Sequence, residues 1–171
     1  MPHVRLETLI PRASAADCFA LSLSVDAHAA SMSRSGERAV AGVTAGEMRL
    51  GDTVTWLARH FGVRFRMTSA ITAYDAPHRF VDEQVAGPFA RWQHEHLFTA
   101  VDGGTLMVDV AEFSSPLGVV GRIVDRLVLE RYLTHLLRRR NEWLAARLGQ
   151  SPPSGPESPR AANRRRGTVA P

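Results

Sequence analysis

The sequence predicts an α+β domain in which a curved, seven-stranded antiparallel sheet wraps one long C-terminal helix and encloses a cavity. Three observations carry this. Apolar and polar residues alternate from Glu37 to Phe113, the gaps between alternating runs are short, and after Pro116 the period becomes helical as far as about Leu148. Short gaps require antiparallel neighbours, because a parallel pair needs a crossover of about a dozen residues or more.

The elements follow in order. Val4-Arg5-Leu6-Glu7-Thr8-Leu9-Ile10 alternates and stops at Pro11, giving a first strand. Ser14-Ala15-Ala16-Asp17 has the form of a capping box, so a short helix is expected near Ser14, with a second over Asp26–Ser33. Strands are expected over 38–45, 53–61, 63–74, 79–86, 91–100 and 105–113. Turn signals separate them at Gly46/Gly51, Gly62, Asp75-Ala76-Pro77-His78, Gly87-Pro88 and Asp102-Gly103-Gly104.

One sheet face is dry and the other wet. Val54, Trp56 and Ala58 oppose Thr53, Thr55 and Arg59, and Val63, Phe65, Met67 and Ile71 oppose Arg64, Arg66, Thr68 and Thr72. A single helix of about 20 residues cannot cover a flat sheet of seven strands. The sheet must therefore curl around it, and incomplete filling leaves a cavity.

Pairing arithmetic predicts what lines that cavity. A four-residue turn at 75–78 sets position 74 against 79, which brings Asp82 beside Ile71 and Gln84 beside Ser69. A two-residue loop within 102–104 puts Trp92, His94, His96 and Phe98 on one face with Met107, Asp109 and Phe113. The expected ligand-binding wall is Trp56, His60, Phe65, Met67, Phe80, Trp92, Phe98 and Met107, with Asp82 and Gln84 as polar members. His94, His96 and Asp109 are the candidate catalytic residues.

Composition narrows the function classes. The 171 residues are enough for one domain, expected over 1–149, followed by a Pro/Ser/Arg-rich tail over 150–171 that reads as disordered. All 21 basic residues are arginine, which excludes Schiff-base chemistry. Residues 1–121 hold ten arginines against thirteen acids, so the sheet-forming body is mildly acidic, and the positive charge lies beyond it. No nucleic-acid partner is expected from that distribution. Cys18 is the only cysteine and reads as a small buried hydrophobe. With no signal-peptide layout and no apolar run of about 18 residues, the expectation is a cytoplasmic protein without an integral membrane segment.

The chain resembles the SRPBCC superfamily, also described as START-like or birch-pollen-allergen-like, and within it the bacterial polyketide cyclase/dehydrase and coenzyme Q-binding branch. The resemblance spans about residues 3–148. It rests on the element order and on GDTVTWLARHFGV (51–63), RFVDEQVAGPF (79–89), HEHLF (94–98) and GGTLMVDVAEFSSPLG (103–118). It implies the helix-grip fold, two short N-terminal helices included. It also implies a small hydrophobic ligand such as a polyketide, quinone or lipid, without choosing between carriage and cyclase/dehydratase catalysis.

His94-Glu95-His96 is the sharpest local constellation. On a strand, residues two apart face the same way, so both imidazoles meet Asp109 on the next strand. The group can form a two-His-one-carboxylate metal site, an acid–base pair for ketide cyclisation or dehydration, or a structural network that orients a ligand's polar end. No resident metal or cofactor is assigned.

The C-terminal helix carries two apolar stripes that disagree in direction. Val120, Ile123, Val124, Leu127 and Val128 share one side, with Arg122, Asp125 and Arg126 opposite. From Leu129 the stripe moves to Tyr132, Leu133, Leu136, Leu137, Trp143 and Leu144, with Arg131, His135, Arg138 and Glu142 across from it. A straight helix cannot press both onto one sheet, so either the helix breaks or kinks between about Val128 and Arg131, or its first half carries a separate apolar face. Residues 117–128 are then expected at the cavity mouth as a lid, a homodimer surface or a peripheral membrane contact.

Overall fold

The computed structural model describes residues 3–116 and 118–149. The expected tail, 150–171, and Leu117 lie outside the described residues. Strand β1 (His3–Pro11) leads into helices α1 (Ala15–Leu23) and α2 (Val25–Ser31) and a 3₁₀ turn (Ser33–Ser35). Six strands follow: β2 (Arg38–Gly42), β3 (Thr53–His60), β4 (Val63–Asp75), β5 (Arg79–Ala86), β6 (Arg91–Val101) and β7 (Gly104–Ser114). The C-terminal helix runs as α3 (Gly118–Val124), a π segment (Asp125–Leu129) and α4 (Glu130–Gly149).

All seven strands form one antiparallel sheet in the order β1-β7-β6-β5-β4-β3-β2. The α1–α2 pair bridges the two edges, a ten-residue loop (43–52) joins β2 to β3, and short turns join the other strands. Ser14 caps α1 as its sequence suggests, its Oγ accepting the Asp17 N–H at 3.0 Å. Phe19 from α1 packs edge-on against Tyr74, Phe80 and Phe98 at centroid distances of 5.2, 5.6 and 5.7 Å, closing one end of the barrel-like interior.

Two boundaries differ from expectation for physical reasons. Strand β2 stops at Gly42 rather than 45, because Gly42 adopts φ 73° and a Cβ there would stand 2.1 Å from the Thr53 carbonyl oxygen. At the β4–β5 turn, Asp75 itself pairs with Arg79, one residue tighter than predicted. A bulge at Thr72 absorbs the difference, so Ile71 still opposes Asp82 and Ser69 still opposes Gln84.

The two-stripe helix is resolved by the π segment. The Glu130 N–H reaches the Asp125 carbonyl, a five-residue step that inserts one extra residue. One extra residue turns the following face by about 100°. Leu133, Leu137 and Leu144 therefore press into the sheet's interior, each buried. In the preceding segment the buried residues are Gly121 and Asp125, while Val120, Ile123 and Leu127 are more than half exposed. The inward side of 118–128 is thus Gly121 and Asp125, and both the apolar stripe and the arginines Arg122 and Arg126 face out. Asp125 secures the inward side by accepting from the Ser115 backbone N–H at 3.0 Å and from the Ser115 hydroxyl.

Candidate functional site

A cavity of about 370 Å³ lies between the inner face of the sheet and α4. Trp56, Phe65, Met67 and Phe80 give it apolar walls, and Leu129, Leu133, Leu136 and Leu137 close it from the helix. His60 lines it as well, its Nδ1 2.7 Å from the Tyr132 hydroxyl. Asp82, Trp92, His94 and His96 supply a polar inset on one wall. Burial follows from the strand alternation: His94, His96 and Asp109 are buried, while the intervening Gln93, Glu95 and Glu112 are not.

Three residues expected on the wall sit elsewhere. Gln84 holds the β5–β6 loop, its Nε2 donating to the Phe89 carbonyl at 2.8 Å and its Oε1 accepting the Phe89 N–H. Phe98 and Met107 oppose each other behind the wall, at 2% and 0% exposure, as core residues. They were placed on the correct face, but α1 packs over that end of it, with Phe19 against Phe98 and Ser22 against the Met107 sulfur.

The inset is a closed box of two imidazoles between two carboxylates. His94 Nε2 and His96 Nδ1 both meet the same oxygen of Asp109, at 3.1 and 2.9 Å. The far sides of the rings, His94 Nδ1 and His96 Nε2, lie 3.6 and 3.3 Å from one oxygen of Asp82. The rings themselves stand 3.9 Å apart, and Phe80 stacks on His96 at 4.2 Å. Asp109 is fully buried and does not reach the cavity, whereas Asp82 is partly exposed to it. Trp92 Nε1 donates to the other Asp82 oxygen at 3.4 Å.

Electrostatics keep both carboxylates ionised. Burial opposes charge on Asp109, but the His94 hydrogen bond and the adjoining His96 imidazole overcome it and hold the carboxyl well below its ordinary value. Asp82 is likewise lowered against its burial, through His96, His94 and Trp92. Burial, then the neighbouring His96 charge, pushes His94 down, against the pull of the two carboxylates. Cys18 plays no part in this chemistry, since burial pushes its thiol up to about 11.

Sequence reasoning did not single out the residues that anchor this box from the helix. Asn141 donates to Asp109 at 2.6 Å, and Arg140 stands 3.5 Å from it. Both are buried on α4 and share the face of Leu133, Leu137 and Leu144. That spacing was the available signal: polar groups interrupting an apolar stripe are buried only with a partner. A second polar pair, His28 and Glu37, was also missed. It lines the opposite part of the cavity at 3.1 Å, with His28 lying over Trp56.

Comparison with known proteins gives the context. Residues 1–149 match the family model described as polyketide cyclase / dehydrase and lipid transport. The protein TTHA0849 from Thermus thermophilus superposes with a TM-score of 0.67 at 20% identity, over 85% of this chain and 99% of that one. A START superfamily protein from Mycobacterium smegmatis gives 0.64 at 12% identity, covering 86% and 97%. The ginseng major latex-like protein 151 from Panax ginseng gives 0.63 at 14% identity, covering 86% and 97%. No curated protein matches the chain. At such identities the superpositions establish the helix-grip fold, and the family match establishes membership: the chain belongs to the polyketide cyclase / dehydrase and lipid transport family of the SRPBCC superfamily.

Proposed function

We propose that the protein binds and carries a small, largely apolar molecule with one polar end, seated in the cavity with that end at Asp82. The observation that carries this reading is the asymmetry of the lining. A volume of about 370 Å³ lies in the range of small-molecule sites, its walls are aliphatic and aromatic, and Asp82 and the two imidazoles are gathered on one side. Family membership supports the same class of ligand. A solvatochromic apolar probe should bind the purified protein at one equivalent and be excluded by Ala58→Phe, which fills the cavity from β3. Equal uptake by Ala58→Phe, with its melting curve unchanged, would place the probe outside the cavity.

The box also favours a second reading, cyclase/dehydratase chemistry. Of the four imidazole-to-carboxylate contacts two are hydrogen bonds, which two neutral rings supply, and His96 Nδ1 is buried without a partner, so the pair has room for one further proton. A proton there makes one ring an imidazolium, which can deliver that proton through the Asp82 side to a ligand carbonyl. Turnover of a poly-β-ketone lost in both His96→Phe and Asp109→Asn supports catalysis; turnover unchanged in both leaves carriage.

For the segment 118–128 we assign docking on an anionic lipid surface. Val119, Val120, Ile123, Leu127 and Val128 face outward, and the exposed Arg122 and Arg126 flank them. No helix among the described residues is long and apolar enough to cross a membrane. Flotation with phosphatidylglycerol vesicles should retain the protein, and Ile123→Asp with Leu127→Asp should release it. A dimer in solution dissociated by the same changes, with no vesicle binding, contradicts the assignment.

A further inference from the structure

We infer that Asp82, His94 and His96 form a binding site for one divalent first-row transition-metal ion of the zinc or ferrous type, opening into the cavity. This goes beyond carriage and does not depend on it. One ligand atom from each residue, Asp82 Oδ2, His94 Nδ1 and His96 Nε2, lies within 4.8 Å of the others. The two carboxylate-to-imidazole spacings, 3.6 and 3.3 Å, match the distance between neighbouring donors around a tetrahedral ion. Bonds of about 2.0–2.1 Å at tetrahedral angles set that distance at about 3.3 Å.

The second observation lies behind the rings. Both far nitrogens, His94 Nε2 and His96 Nδ1, end on one buried oxygen of Asp109. The hydrogen bond from His94 Nε2 to Asp109 leaves the His94 Nδ1 lone pair facing Asp82. His96 Nδ1, buried without a hydrogen-bond partner 2.9 Å from the same oxygen, would take the same role as His94 Nε2 once the His96 hydrogen moves there from Nε2. A buried carboxylate behind a ligating histidine is the outer-shell arrangement that orients metal ligands and raises their basicity. Here one carboxylate serves two rings, and Asn141 at 2.6 Å with Arg140 at 3.5 Å keeps it in place. In the metal reading, one of three the sequence allowed, Asp109 was the third ligand; the geometry gives that role to Asp82 and puts Asp109 behind the histidines.

Charge and access agree. With neutral rings, the two carboxylates and Arg140 leave the box with one net negative charge, which a dication reverses. Asp82 is the cavity-facing member, so the open coordination positions of a three-ligand site would face the bound ligand. A polar oxygen on that ligand is the natural fourth donor.

The test uses the full chain, stripped with a chelator and titrated with Co²⁺ and Zn²⁺ separately. Visible d–d bands should grow to one equivalent of Co²⁺, and Zn²⁺ should bleach them and raise the melting temperature. Asp82→Asn, at the partly exposed position, should abolish the bands while its circular dichroism shows the native fold. Asp109→Asn should weaken Zn²⁺ affinity by about 10–100-fold, the usual cost of an outer-shell change. Absence of the bands from the native chain, or bands that persist unchanged in Asp82→Asn, overturns the site. Because no organic ligand is present in the titration, failure of the carriage reading leaves this result untouched.

Discussion

Asn141 on the C-terminal helix donates a 2.6 Å hydrogen bond to Asp109 at the centre of β7, tying helix to sheet through a charge that no solvent reaches. Its other contact from the same amide, to the Thr8 hydroxyl at 3.1 Å, reaches the adjoining strand β1. The position of α4 over the sheet is therefore set by polar chemistry as well as by the burial of Leu133, Leu137 and Leu144.

Asn141→Leu should cost about 2 kcal/mol, because a buried carboxylate loses a charge-assisted donor. For a domain of this size that corresponds to a fall in melting temperature of roughly 4–8 °C. Adding Asp109→Leu should cost less than the sum of the two single changes, since the second removes the stranded charge. Thermal melts of the two single variants and the double variant check this.

Much of the site was legible beforehand because it follows from strand period and turn length. The shared face of His94, His96 and Phe98 with Met107 and Asp109 needs only a two-residue loop within 102–104; the loop present, Asp102-Gly103, pairs His96 with Asp109 and Phe98 with Met107. The Asp82–Ile71 pairing was also read correctly, although by a different route, since a tighter turn and the Thr72 bulge compensate each other. Strand alternation carries no information about a bulge, because the extra residue is exposed on either account. The helix contribution was illegible for another reason. Which carboxylate meets Asn141 depends on where α4 crosses the sheet, a contact 32 residues apart that no local pattern encodes. The π segment overlaps the expected break, and the upstream stripe is the separate apolar face that was the other expectation: it faces outward, and none of its residues lines the cavity.

Acid should destabilise the fold partly through Glu37. Burial opposes its charge, but His28 overrides that, with His60 and Ser35 assisting, and holds the carboxyl below its ordinary value. A lowered folded-state value means that the unfolded chain takes up the proton first. The stabilisation is therefore complete above about pH 4.3 and is lost as pH falls through the folded-state value. Glu37→Gln should flatten the fall in melting temperature below about pH 4.3 relative to the native chain. Parallel curves for the two proteins would show that the His28 contact contributes nothing.

The segment before the π turn should open more easily than the helix after it. Its inward contacts come from Gly121 and from Asp125 with Ser115, whereas α4 buries Leu133, Leu137, Arg140, Asn141 and Leu144. Hydrogen exchange should be faster over 118–128 than over 131–145. Asp125→Ala should widen that difference without changing 131–145. Slow exchange over both, unaffected by Asp125→Ala, would mean that the stripe is packed against something in the isolated protein.

The carriage claim is tested most directly by native mass spectrometry of the full chain purified from the cells that express it. A one-to-one complex is expected, with a small apolar molecule that bears a polar end and is released on denaturation. Ala58→Phe, purified in the same way, should carry none. A native chain that takes up neither its own cellular ligand nor any apolar probe, while its fold and cavity-lining tryptophans report an intact protein, would contradict the carriage claim.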